Sequence, residues 1–228
     1  MSFRIHPAGV PFAIGFALTA ALLWWLTPWL GVPAVVLTLW CVWFFRDPER
    51  VTPGLAGVVY SGADGRVVGV NQAPPPAELG MGDQPLPRVS VFLNVFDVHV
   101  NRVPVSGVVT ALHYHPGKFV NASFDKASDL NERQSVKLRT PDGQDVVIVQ
   151  IAGLIARRII CKLRLDQVVG VGDRYGLIRF GSRTDIYLPE GSTILVAVGD
   201  HAVGGETALA RLPGGNAQAD NDSTAVQP

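Results

Sequence analysis

Gly181-Ser182 is the residue pair in this sequence with the most chemistry open to it. At a tight, strained turn a serine hydroxyl can attack the carbonyl of the residue before it, and glycine puts no side chain in the way. The amide becomes an ester, β-elimination splits the ester, and hydrolysis with loss of ammonia leaves a pyruvoyl group. That ketone can form a Schiff base with an amine and hold carbanion charge, as pyridoxal phosphate does. The pair alone selects nothing, because Gly191-Ser192 repeats it a few residues on. What singles out Ser182 is its setting, Tyr175-Gly-Leu-Ile-Arg-Phe-Gly-Ser-Arg-Thr-Asp-Ile-Tyr-Leu-Pro189.

Other residues offer proton transfer. His99 lies in a polar cluster with Asp97, Asn101 and Arg102, and an imidazole with an ordinary pKa near 6.5 suits that role. His113 and His115 alternate around Tyr114, on one face of a strand, but no cysteine or third histidine is near them, so no metal site is expected. Cys41 and Cys161 lie far apart and have no partners at metal-ligand spacing.

The stretch around Ser182 resembles the cleavage site of phosphatidylserine decarboxylases in their short bacterial and archaeal form. Four more segments agree in the same order: Phe44-Phe-Arg-Asp-Pro-Glu-Arg50, Phe96-Asp-Val-His-Val-Asn-Arg-Val-Pro104, the run from Pro116-Gly-Lys-Phe-Val-Asn-Ala122 to Asn131-Glu-Arg-Gln-Ser135, and Gln150-Ile-Ala-Gly-Leu-Ile-Ala-Arg-Arg158. The resemblance implies self-cleavage at Gly181-Ser182, a pyruvoyl cofactor made from Ser182, and two associated chains, 1–181 and 182–228. It also implies decarboxylation of phosphatidylserine to phosphatidylethanolamine at a membrane. Asp64, in Gly62-Ala-Asp-Gly65, matches the family's Asp-Gly motif and is the candidate aspartate of an Asp-His pair aiding the serine. The longer enzymes of the family carry two histidines where this chain has Asp97-Val-His-Val-Asn-Arg-Val-Pro104. The first maps to His99 and the second to Arg102, so the base for self-cleavage stays open between His99, His113, His115 and turn strain alone. His99 is also the candidate for reprotonating the α-carbon. The phosphate of the implied substrate calls for cations, and the candidates are Lys118, Arg102, Arg133 and Arg183. Two alternatives stand beside this reading: a pyruvoyl decarboxylase of another amino-bearing substrate, and a membrane-tethered β-barrel binding module without catalysis.

These residues need a scaffold. Lys+Arg and Asp+Glu are both 19, so the formal charge is zero and no basic footprint for nucleic acid is present. The apolar excess collects at the N-terminus. From Ala8 to Phe45 there is no charge, a run of roughly 38 residues where one spanning helix needs about 20. Pro28, Gly31 and Pro33 interrupt it, which predicts two helices near 9–27 and 32–45 forming a hairpin. Arg4 before it and Arg46 and Arg50 after it favour both ends on the cytoplasmic side of a cell membrane.

After Arg50 short β-rich runs alternate with glycine-rich turns: 57–60, 66–70, 88–93, 107–112, 135–139, 144–150, 175–180, 185–188 and 192–198, with Pro141-Asp-Gly143 as a hairpin turn. Stretches 153–161 and 95–101 read as helical. The fold class is a β-dominated α+β domain of many short strands, barrel-sandwich-like, preceded by an apolar helical hairpin. The division is a membrane-associated hairpin over 1–50, a catalytic β-rich domain over 51–212, and a disordered tail over 213–228. Residues 73–87, rich in proline, read as a mobile surface loop near the membrane. The sequence leaves open whether the chain forms a homodimer.

Overall fold

The structure, a computed structural model, describes residues 4–117, 131–153, 159–179 and 181–214. The charge-free run forms two helices, α1 (Val10–Leu26) and α2 (Pro28–Phe44), each of 17 residues. They meet at Thr27, whose extended backbone (φ −163°, ψ 127°) reverses the chain. The second helix therefore starts at Pro28 rather than 32. Pro28 suits a first helical position, where its missing N–H would have had no partner. Gly31 is not a breaker either: a Cβ there would lie 2.7 Å from the Trp24 Cα, so the glycine lets the two helices touch. Pro33 is tolerated inside α2.

The hairpin leaves the rest of the protein and returns to it. His6 donates its N–H to the Phe45 carbonyl (2.8 Å), and Asp47 donates to the Arg4 carbonyl (2.8 Å). Both ends are thereby fastened at one place. Beyond that foot the hairpin is bare: Trp25 and Trp29 at its tip are 81% and 88% exposed. The segment Pro7–Leu26 is long and apolar enough to cross a membrane.

Among the described residues fourteen strands follow: β1 (Val58–Tyr60), β2 (Gly65–Ala73), β3 (Leu86–Leu93), β4 (Val100–Arg102), β5 (Gly107–His115), β6 (Arg133–Arg139), β7 (Asp145–Ile151), β8 (Ile159–Cys161), β9 (Val168–Val169), β10 (Arg174–Ile178), β11 (Ser182–Tyr187), β12 (Thr193–Ile194), β13 (His201–Ala202) and β14 (Ala208–Arg211). The largest sheet has eight strands in the order β13-β2-β3-β11-β7-β6-β5-β9, and two three-stranded sheets, β1-β14-β12 and β4-β10-β8, pack around it. Every ladder is antiparallel.

Side chains alternate across a strand, so the large sheet has two different faces. One carries Val67, Val91, Val136, Ile148 and Ile186 into the main core. The other carries Val147, Val149, Ile151 and Tyr187, covered by Leu79. Leu79 belongs to the proline-rich stretch 73–87, which is fastened rather than free. Glu78 accepts from the Arg133 guanidinium (2.9 and 3.1 Å) and from the Ser135 hydroxyl (3.0 Å).

Of the two stretches read as helical, 95–99 form a turn and an extended segment, and the described ends of both are strands. Val100–Arg102 and Ile159–Cys161 flank β10 in the small sheet, because short apolar runs fit either period and the neighbouring edges decide. Residues 154–158, and the tail from 215 onward, lie outside the described residues. The hairpin foot packs onto this small sheet, where Cys41, Phe44 and Phe45 meet Val98, Val100 and Leu177.

Candidate active site

Ser182 opens β11. Gly181 before it has φ +60°, the left-handed region that favours glycine, with no atom of another described residue within 4 Å of where a Cβ would stand. Ser182 pairs with Leu93 of β3, and Arg183 sits between Phe92 and Ile151. The serine is fully buried. Its Oγ has no hydrogen-bond partner among the described residues, which is costly for a structural hydroxyl and normal for one held for chemistry. Two residues on, the same face carries Thr184, whose Oγ1 also lacks a partner among the described residues. Opposite Thr184 is Gln150, which donates from Nε2 to Asn101 Oδ1 of β4 (2.7 Å). A buried polar row thus lies between the large sheet and the small one.

His99 immediately precedes β4. Its carbonyl accepts from the Ile178 N–H (3.3 Å), and Ile178 is four residues before Ser182, at most about 14 Å of extended chain. The His99 ring is fully buried, 4.2 Å from the Phe44 ring between centroids. Its Nδ1 lies 3.0 Å from the Asp97 carbonyl oxygen. A carbonyl only accepts, so Nδ1 carries the proton and Nε2 keeps its lone pair. Nε2 has no partner among the described residues. Burial pushes the pKa of His99 down to about 4, and the charge of Arg46 adds to this against the Asp97 carbonyl and the charge of Asp64. The imidazole is neutral near pH 7, with an open acceptor.

Asp64 reaches the same region through Gly65. That glycine has φ +145°, and a Cβ there would overlap the Phe92 carbonyl while lying 3.2 Å from the Leu93 Cα. Only glycine lets the chain cross the strand residue that pairs with Ser182. The Asp64 carboxylate is gripped by the Arg50 guanidinium and accepts the Gly204 N–H (2.8 Å). Arg50 also donates to the Gly204 carbonyl (2.7 Å). Among the described residues no hydrogen bond joins Asp64 to His99; the two act on each other through charge at longer range.

The candidate cations separate. Arg102 donates to the carbonyls of Gly172 (3.0 Å) and Pro48 (2.8 Å) and lies 3.8 Å from Asp47, so it fastens the segment leaving the hairpin. Arg133 is paired with Glu78 across the sheet from Ser182. Arg183, next to Ser182 but on the opposite face, pairs with Asp185 (2.8 Å). Lys118 lies outside the described residues. In the sequence Arg50, which closes the motif Phe44–Arg50, stands only as a positive charge flanking the hairpin, not as a site residue. Arg179 was also overlooked: three residues before Ser182, its guanidinium lies 4.9 Å from the Phe12 ring centroid of α1.

Residues 37–210 match the family model for phosphatidylserine decarboxylase. The chain belongs to the phosphatidylserine decarboxylase family. It is 56% identical over 207 residues to a protein of Granulibacter bethesdensis, covering 91% of this chain and 85% of that one. It is 53% identical over 206 residues to a protein of Rickettsia typhi, covering 90% and 89%, and equally to one of Rickettsia prowazekii. All three are named phosphatidylserine decarboxylase proenzyme. The family assignment spans the end of the hairpin and every strand from β1 to β13, so the helix foot that covers His99 is part of the family unit.

Proposed function

We propose that this chain decarboxylates phosphatidylserine to phosphatidylethanolamine and carbon dioxide, using a ketone made from its own Ser182. The observation that carries the reading is Gly181 in a left-handed turn, followed by a buried serine whose Oγ lacks a partner among the described residues. Such a hydroxyl fits a nucleophile for the Gly181 carbonyl. A pyruvoyl group at position 182 supplies an electron sink for the charge left when carbon dioxide departs.

The protein's own residues supply the rest. Neutral His99 offers Nε2 to take a proton and return it. Asp64, fixed by Arg50, places a negative charge near the imidazolium that would form. Apolar walls from Phe44, Val100 and Leu177 exclude water, which favours loss of a carboxylate's localised charge. Lys118 and Arg179 are the proposed contacts for the substrate phosphate. After cleavage the short chain stays attached through ladders already in place: β11 with β3 and β7, β13 with β2, and β14 with β1.

The site lies against the last turn of α2, where the apolar run ends. A substrate whose acyl chains remain in a bilayer is met at that level, with Arg4, Arg46 and Arg50 on the cytoplasmic side of the cell membrane. Intact mass spectrometry tests the reading. The expected result is two fragments, 1–181 and 182–228, the second lighter than a serine N-terminus requires and resistant to Edman sequencing. Ser182→Ala should give one uncut, inactive chain. A continuous wild-type polypeptide with a normal serine would overturn it.

A further inference from the structure

Phe96 is 66% exposed, at the tip of a turn whose shape does not depend on its ring. Asn94 accepts the Phe96 N–H on Oδ1 (2.8 Å), Asp97 accepts the Asn94 N–H on Oδ2 (2.8 Å), and the Asp97 N–H returns to the Asn94 carbonyl (3.1 Å). The two polar side chains close the turn by themselves. A lone exposed aromatic is ordinary on a protein surface, but this one is held at the foot of the apolar hairpin. Arg46, the first charged residue after the helices, donates from Nη2 to the Phe96 carbonyl (2.6 Å) and from Nη1 to the Trp43 carbonyl (3.0 Å). The same guanidinium lies 4.4 Å from the Trp43 ring centroid, and Trp43 is itself half exposed. An arginine bracketed by two exposed aromatics, at the end of an apolar helix, matches the composition of a membrane–water interface. Arginine there also attracts anionic headgroups.

We propose that the Asn94–Asp97 turn is a second membrane contact, in which Phe96 enters the headgroup layer of an anionic bilayer beside Trp43 and Arg46. The proposal rests on the membrane-surface reading above. Its consequence is orientation. The hairpin fixes the domain to the bilayer at one point, and Phe96 supplies a second, which sets the tilt of the domain. The turn also presents the Asp97 carbonyl that holds His99 Nδ1, so the seated face is the one next to the reacting site.

The test compares two substrates in the full-length protein. One is long-chain phosphatidylserine in vesicles with phosphatidylcholine; the other is dihexanoyl phosphatidylserine dispersed as monomers. Phe96→Asp should lower kcat/KM on vesicles by about tenfold, the worth of withdrawing an aromatic from an apolar layer, and leave the rate on monomers within about twofold. Phe96→Leu should keep most of the vesicle rate. Equal losses on both substrates, or no loss on vesicles, would overturn the proposal. Flotation of the wild-type protein with the same vesicles tests the underlying membrane reading. Failure there sinks both ideas, whereas flotation with an unselective Phe96→Asp sinks only this one.

Discussion

The His99 ring lies against the Phe44 ring, with centroids 4.2 Å apart and planes inclined by 38°, so the last residue of the hairpin is a wall of the candidate active site. Phe44 is fully buried. Replacing it by alanine should cost about 3–5 kcal/mol of stability and admit water to the imidazole. The His99 pKa should then climb from about 4 toward the unperturbed value of about 6.5. Histidine NMR titration reads this directly, and the acid limb of the rate profile should move up with it. Phe44→Leu, which keeps the apolar wall, is the companion that folds more readily and should shift the pKa less.

The same burial makes stability depend on pH. His99 titrates near 6.5 in the unfolded chain and near 4 in the folded one, so between those values only the unfolded state takes up the proton. Stability is full above pH 6.5 and falls as the pH drops toward 4, by roughly 3 kcal/mol in all. Glu78 acts in a lower window. Burial raises its pKa, but the hydrogen bonds from Arg133, its own backbone and Ser135 outweigh this and bring it to about 2 from 4.5. Its contribution is present above 4.5 and lost as the pH falls through 2. Urea unfolding at pH 7, 5 and 3 separates the two. His99→Gln should flatten the upper slope and leave the lower one; a variant with the wild-type slope between pH 7 and 5 would refute the assignment.

Much of this arrangement was legible in the sequence, for local reasons. β-branched runs such as Val89–Leu93 and Val146–Ile151 alternate between two buried faces, and Pro141-Asp-Gly143 closes a hairpin with the Gly143 N–H on the Thr140 carbonyl (2.9 Å). The hairpin was visible from charge alone. What stayed hidden depends on distant partners. β4 and β8 are three residues each and become strands only because β10 runs between them. Ser182 read as the turn before a strand starting at 185, whereas β11 begins at Ser182 itself. Phe44 read as a membrane residue, and nothing local shows that a histidine 55 positions away rests on it. The partner of Asp64 was equally hidden, because an Asp-Gly motif describes the backbone and not the charge that meets it.

That partner gives the next prediction. The side chains of Arg50 and Asp64 are 9% and 10% exposed, so removing either leaves an unpaired charge in a poorly solvated place. Arg50→Ala and Asp64→Ala should each cost about 3–5 kcal/mol and slow self-cleavage. The double variant should cost well under their sum, since the second removal strands nothing. Arg50→Lys should recover part of the stability while losing the two-pronged grip. Chemical denaturation and the fraction of cleaved chain on a gel read both effects. Additive losses would mean that the two residues act separately.

Gly181 offers a test of what the turn contributes, because no described residue outside its chain neighbours crowds it. With φ +60° and no atom of another described residue within 4 Å of a Cβ position, the penalty for a side chain there is conformational. Alanine should cost about 1 kcal/mol to hold in this region, asparagine less, and valine more, since a β-branched residue is the least tolerant of it. If the left-handed turn is what presents the Gly181 carbonyl to Ser182, cleavage rates should fall in the same order: glycine, asparagine, alanine, valine. Each kcal/mol lost from the reactive turn slows the reaction about fivefold. The appearance of the 182–228 fragment after synthesis in a cell-free system gives the rates. An order that follows side-chain volume, with asparagine slower than alanine, would show instead that access to the carbonyl limits cleavage and that the turn only permits it.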